Sequence, residues 1–239
     1  MKILVCGKGG CGKSVIATLI SKALADRGYD VLVIDGDESN LSLHRFLGLD
    51  MPRLFRDYFG SRKEVFERIK KLEIRSICEI PDDFIAKRDR IKLLCIGKIH
   101  EFGEGCACPM AALLREFLRN LKPERNEFVI VDTEAGIEHF GRAVEIGCDL
   151  ILLVLDPTYE SILLSKRITE MKMGKKVFFI LNKIDETSKN IVLSSIDKTR
   201  VIAIIPVVDD IAVSCLKGEE INVRLKEIER VADFLVGMK

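Results

Sequence analysis

The chain has 239 residues, with 38 Lys plus Arg against 37 Asp plus Glu and a formal net charge of +1. That balance gives no support to a nucleic-acid surface, and no apolar run approaches the length of a membrane span. Apolar residues make up 48% of the chain, ample for the core of one large α/β domain. The apolar run 3–6 is too brief for a signal peptide, so a cytoplasmic location is expected. The eight cysteines are then expected to be core residues, metal ligands or reactive thiols, not disulfides.

The chain opens on a short apolar strand, 2–7, that runs into Gly7-Lys8-Gly9-Gly10-Cys11-Gly12-Lys13-Ser14, a complete G-x-x-x-x-G-K-[ST] loop. Small residues let the backbone N–H groups of Gly7, Lys8, Gly9, Gly10, Cys11 and Gly12 wrap closely around phosphates. Lys13 reaches the outer phosphates and the Ser14 hydroxyl holds Mg²⁺. Ile16, Leu19, Ile20, Ala23 and Leu24 then repeat at helical spacing over 13–27, and Gly28 ends the helix. The loop therefore lies between a strand and a helix N-terminus, where the dipole and free amides favour an anion. A nucleoside triphosphate is the expected ligand. Lys8 has no evident work in its own loop, which leaves it able to reach the nucleotide of another subunit.

Apolar runs at 31–34, 91–96, 128–131, 150–155, 177–181 and 201–205 alternate with helical patterns at 41–47, 110–121, 161–173 and 222–236. That order predicts a doubly wound, mostly parallel sheet flanked by helices, a P-loop NTPase fold in one domain over 1–239. The charged stretch at about 51–90 reads as a helical surface insertion. The second strand ends in Asp35-Gly36-Asp37-Glu38-Ser39-Asn40, carboxylates at the sheet edge where open α/β sheets bind ligands. Asp37 is expected to position the attacking water and Asp35 to support the magnesium shell, against the plainer reading of a polar turn. Asp132 directly follows the apolar run FVIV, so its carboxylate can meet Mg²⁺ through water, while Gly136 offers an open N–H to the terminal phosphate.

Between these lies Cys106-Ala107-Cys108-Pro109. In an extended segment two cysteines one residue apart point the same way. Pro109 suits the first position of a helix, which places Cys108 near its N-cap and favours thiolate. Two thiolates cannot fill a tetrahedral site, but two copies across a twofold axis can, for Ni²⁺ or Zn²⁺. Cys6, Cys78, Cys95, Cys148 and Cys215 read as small buried residues, and His100 and His139 as ordinary hydrogen-bonding groups. Further on, Asn182-Lys183-Ile184-Asp185 fits N-K-x-D, a guanine-recognition pattern, which keeps GTP open beside ATP. Leu225, Ile228, Val231, Ala232 and Leu235 share one face of the last helix, whose other face mixes both charges. That face is expected to pack on the sheet instead of binding a membrane.

With Lys8 at the head of KGGCGKS, the chain resembles the deviant P-loop family that includes MinD, ParA and the nitrogenase iron protein. Within it, the DGD switch, the C-x-C-P motif, the string Asp132-Thr133-Glu134-Ala135-Gly136-Ile137-Glu138-His139-Phe140-Gly141-Arg142 and Ile205-Pro206 resemble the CooC-type nickel-insertion ATPases over nearly the whole chain. The resemblance implies a homodimeric ATPase in which Lys8 crosses to the partner's nucleotide and hydrolysis is coupled to metal delivery. Its implied client is immature nickel-containing carbon monoxide dehydrogenase. It also implies ATP over GTP, with Asn182 contacting adenine and Pro206 and Val207 lining the base. Two other readings stand beside it. A MinD- or ParA-like positioning ATPase would be recruited to a membrane or DNA, and an iron–sulfur ATPase or reductase would need a second ligand that 132–142, which lacks cysteine, does not offer.

Overall fold

The computed structural model describes residues 1–60, 67–69, 72–98, 108–133, 144–171 and 174–239. Its strands are β1 (Lys2–Gly7), β2 (Asp30–Gly36), β3 (Ile85–Arg88), β4 (Ile91–Cys95), β5 (Glu127–Thr133), β6 (Leu150–Leu155), β7 (Lys176–Leu181) and β8 (Val201–Ile204). They form one sheet in the order β3-β4-β2-β5-β1-β6-β7-β8. Every pairing is parallel except β3 with β4. The helices are α1 (Lys13–Asp26), α2 (Leu43–Phe46), α3 (Cys108–Asn120), α4 (Tyr159–Glu170), α5 (Glu186–Ser195), α6 (Asp209–Lys217) and α7 (Lys226–Gly237).

The central strands β1, β2, β5 and β6 are nearly continuous apolar runs because both sheet faces are covered there. Leu4, Leu32, Ile34, Val129, Val131 and Leu153 face one layer, built around Phe55, Leu114 and Phe117. Ile3, Val5, Val31, Val33, Ile130 and Leu152 face the other, built from α1 and α7. Truncating any one of these leucines to Ala costs about 2–5 kcal/mol, the transfer term plus the cavity left behind. On α7, Ile228, Val231, Ala232 and Leu235 are buried in that second layer, so the apolar stripe packs into the domain as expected.

Among the described residues the expected strands and helices are present, and β3, α5 and α6 are added to them. β3 and β4 form a hairpin closed at Asp89, which adopts φ 52°, a left-handed conformation that aspartate tolerates. Over the stretch 51–90, the described residues form 3-10 turns at Phe55–Phe59, Ile77–Glu79 and Asp82–Phe84 together with β3. Phe55, Phe59, Ile74, Ile77, Ile80 and Phe84 lie in the core, so the described part of the stretch sends an apolar face into the first layer while Tyr58 and Cys78 stay exposed.

The chain leaves β1 for β2 on one side of β5, and after β5 continues to β6 on the far side of β1. β1 thus ends at the point where strand order reverses, the crevice where open α/β sheets bind ligands.

Candidate nucleotide and metal site

The loop after β1 is shaped by two glycines that no other residue replaces. Gly7 has φ +152°, and a Cβ there would lie 2.4 Å from the Val154 carbonyl oxygen; Gly12 has φ +99°, and its Cβ would lie 2.3 Å from Asn182 Nδ2. Gly12 is also the N-cap of α1 and offers no side-chain cap. The first-turn amides of α1 are therefore left for an anion. Asn182, at the end of β7, braces the loop by donating to the Cys11 carbonyl at 2.8 Å, and Lys183 donates to the Gly10 carbonyl at 2.8 Å. Lys13 is buried, with Nζ 3.4 Å from the Lys8 carbonyl, its weak local bond leaving the ammonium free to turn to phosphate. The Cys11 side chain is buried against Gly7, so this residue serves the site through its backbone.

The acidic residues converge from neighbouring strands. Asp35 of β2 stands in register with Asp132 of β5. Ser14 donates to Asp132 Oδ2 at 2.5 Å and accepts from Asn40 Nδ2 at 2.7 Å. Asp132 Oδ1 is buried and lacks a hydrogen-bond partner among the described residues. Burial, reinforced by the nearby Asp35 carboxylate, pushes the Asp132 pKa up to about 7, a state that a cation would relieve. An orphaned carboxylate oxygen beside a serine hydroxyl is a donor set that fits Mg²⁺, a hard cation that takes oxygen ligands.

Asp35 is engaged differently from the expected magnesium support. Its Oδ2 accepts from Lys98 Nζ at 2.7 Å, and both side chains are almost wholly buried. Burial raises its pKa to about 6 against the pull of Lys98. Lys98 was not legible as a site residue, since a single lysine after a strand normally reads as a solvated charge. Asp37 lines the cavity beside the loop, while its Oδ1 accepts from the Ser39 amide at 2.9 Å, the Ser39 hydroxyl at 2.7 Å and the Asn40 amide at 3.2 Å. Asp37 thus both lines the cavity and organises the polar turn through one oxygen.

A cavity of about 820 Å³ runs from Gly12, Lys13 and Ser14 past Asn182 to Pro206 and Val207. Its far end is apolar, formed by Ile211, Cys215 and Leu216 of α6, a surface suited to the face of a base. Asp185 is absent from this lining. It is the exposed N-cap of α5, accepting from the Ser188 amide at 2.7 Å, a bond that holds its carboxyl below the usual range. The guanine-type aspartate is therefore occupied as a helix cap.

Lys8 points within its own chain, to Asp156 Oδ2 at 3.3 Å. Burial alone would raise the Asp156 pKa, but bonds from Ser161 and Thr158 and the Lys8 ammonium hold it below the ordinary value. Cys108 is the first residue of α3, one position deeper than an N-cap. Cys106 and Gly136 lie outside the described residues, as do His100, His139 and the side chain of Cys108. Among the described residues, no group of three or more His, Cys, Asp or Glu could hold a metal ion. Cys6, Cys95 and Cys148 are buried, but Cys78 is exposed and Cys215 half-buried, which corrects the expectation for these two.

A glycine loop at the sheet's reversal point, a buried lysine opening α1, and a serine bonded to a buried aspartate are the arrangement of a P-loop nucleotide-binding fold. Residues 2–221 match the CobQ/CobB/MinD/ParA nucleotide-binding domain family. The chain belongs to that family, and it is an ATPase of the MinD/ParA kind. It is 56% identical to an uncharacterized ATP-binding protein of Methanocaldococcus jannaschii, over 98% of this chain and 99% of that one. It is 37% identical to the carbon monoxide dehydrogenase accessory protein CooC of Rhodospirillum rubrum over 68% of this chain, and that match spans 65% of CooC. In fold it is similar to the septum site-determining protein MinD of Pyrococcus horikoshii complexed with Mg-ADP, with a TM-score of 0.72, 20% identity and coverage of 99% and 96%.

Proposed function

We propose that this chain is a dimeric metallochaperone ATPase that couples ATP hydrolysis to nickel delivery during maturation of carbon monoxide dehydrogenase, in the cytoplasm. The observation that carries the reading is the Cys106-Ala107-Cys108 sequence, whose last residue opens α3, in a chain 37% identical to CooC. A helix N-terminus favours thiolate, and thiolates suit Ni²⁺ or Zn²⁺ as cargo. Four sulfurs, two from each subunit, would close the site without further ligands.

The nucleotide half of the cycle follows from the loop. The α1 amides and Lys13 take the phosphates; Ser14 and Asp132 would hold Mg²⁺, which would supply positive charge to offset that of the phosphates. Asp37 orients the attacking water with the carboxylate oxygen not spent on its turn. Gly136 donates its amide to the terminal phosphate. Lys8 leaves Asp156 and crosses to the partner's nucleotide, so ATP closes the dimer. Asn182, Pro206 and Val207 receive adenine; the use of Asp185 as a helix cap supports ATP over GTP. No helix among the described residues is long and apolar enough to cross a membrane.

The test is reconstitution. Nickel-loaded protein with ATP is expected to activate nickel-free carbon monoxide dehydrogenase, and replacing ATP by a non-hydrolysable analogue is expected to stop it. Activation at the same rate by the Cys106→Ser/Cys108→Ser variant contradicts the reading.

A further inference from the structure

Lys98 lies just beyond β4, beside the end of β2 that carries Asp35, with a side chain 0% exposed. An ammonium has three N–H donors and no way to satisfy them in an apolar layer, so its burial demands three acceptors. It finds Asp35 Oδ2 at 2.7 Å, the Asp37 carbonyl at 2.5 Å and the Asn40 carbonyl. Only the first is an ion pair. The other two are backbone oxygens of the loop 36–40, at the residue that faces the cavity with its carboxylate and at the residue whose amide side chain donates to Ser14.

The arrangement is more than charge neutralisation of Asp35. A lysine that only balanced a buried carboxylate would spend its remaining donors on whatever lay near; this one gathers both ends of a single turn. Inside that turn Asp37 Oδ1 receives the amides of Ser39 and Asn40, which sets the carboxylate's direction. Without the ammonium, the buried Asp37 carbonyl and the half-buried Asn40 carbonyl lose their partner, and the loop must open to find water. β4 is itself fixed to β2 by the parallel register Asp35 with Cys95 and by the Ile96 amide donating to the Asp35 carbonyl at 3.0 Å. The lysine therefore hangs from a rigid strand end and reaches into the loop.

We infer that Lys98 is a positioning residue for hydrolysis: it clamps the loop that aims Asp37 at the attacking water and Asn40 at Ser14. The inference rests on the reading of Asp37 as the water-orienting residue, but the clamp has a readout of its own. A residue that acts through Asp37 affects turnover more than binding, because the phosphates are held by the α1 amides and Lys13, which Lys98 does not touch.

Lys98→Met keeps the length of the side chain and removes its donors. Expected in this variant are a fall of kcat for ATP of about 30-fold or more, a KM and a fluorescent-ADP Kd within threefold of wild type, and hydrogen exchange at the Ser39 and Asn40 amides faster by tenfold or more. The amides of β1 and β5 keep their protection. Unchanged exchange in the loop overturns the clamp, whatever the kinetics show. Loss of nucleotide affinity in step with kcat also overturns it, since that indicates collapse of the site and not of aim. Lys98→Leu, which is shorter and likewise has no donors, serves if the Met variant does not fold, and is read by the same exchange measurement. Failure of the underlying reading is separate: turnover retained in Asp37→Ala together with a loosened loop in Lys98→Met removes the role of Asp37 and leaves the clamp standing.

Discussion

If Lys8 must cross to a partner's nucleotide, the bond that holds it at home opposes dimerisation. Its partner, Asp156, stands 3.3 Å away, and the two side chains are 32% and 11% exposed. The gross attraction at that distance is about 5 kcal/mol at an effective dielectric constant near 20. Solvent screening and the entropy of holding a third-exposed lysine leave about 1 kcal/mol net. Two such pairs break per dimer, about 2 kcal/mol, or roughly a 30-fold change in the dimer dissociation constant. Asp156→Asn removes the charge and keeps Oδ1, so the Thr158 and Ser161 hydroxyls retain their acceptor. Sedimentation with a non-hydrolysable ATP analogue is expected to show the variant dimerising roughly 30-fold more tightly than wild type. In a Lys8→Ala background the same substitution is expected to change nothing, as a double-mutant cycle reads out the pair alone. An Asp156→Asn dimer no tighter than wild type refutes the crossing lysine.

Three further outcomes follow from the site and its supports. Lys13→Ala is expected to lose nucleotide binding, while Asp37→Ala binds fluorescent ATP within a few-fold of wild type and loses turnover; hydrolysis retained by Asp37→Ala sinks its assignment. In competition, ATP is expected to displace GTP, and Asp185→Ala to leave that preference unchanged because the carboxylate caps α5; a clear GTP preference lost in Asp185→Ala reassigns the base site. Glu220 bonds Arg88 and Lys22, and chiefly through the Arg88 bond its pKa falls from 4.5 to about 2. A depressed folded pKa means that the ionised carboxylate stabilises the fold above about pH 4.5 and that the contribution fades as pH falls toward 2. Glu220→Gln is thus expected to melt a few degrees lower at pH 7, for about 1 kcal/mol, and the gap from wild type to narrow in melts below pH 4.5.

What local pattern determines was legible in the sequence: the β1 loop and α1, the apolar strands of a doubly covered sheet, the carboxylates at strand ends, and the stripe of α7. Three elements escaped because they lack that pattern. β3 is IAKR at the sheet's edge, with its polar half exposed; α5 is rich in Ser and Thr and buries only Val192; α6 buries none of its residues and lines the cavity instead. Long-range polar pairing was illegible for a different reason. Lys98 reaches Asp35 across 63 positions, and Lys8 finds Asp156 far along the chain. A lysine's sequence neighbours say nothing about either partner. Cys78 and Cys215 show the converse: apolar neighbours in sequence do not bury a thiol when the segment is a surface turn or an exposed helix.

Metal analysis combined with mass measurement decides whether one metal ion is held between two subunits of a nucleotide-driven dimer. Anaerobically purified wild type, titrated with Ni²⁺ or Zn²⁺ in the presence of ATP, is expected to bind about one ion per dimer, as four thiolates close one tetrahedral site. Cys106→Ser/Cys108→Ser is expected to lose tight metal binding and keep nucleotide binding. A wild-type monomer that takes one full equivalent per chain, undiminished in the double cysteine variant, contradicts the claim.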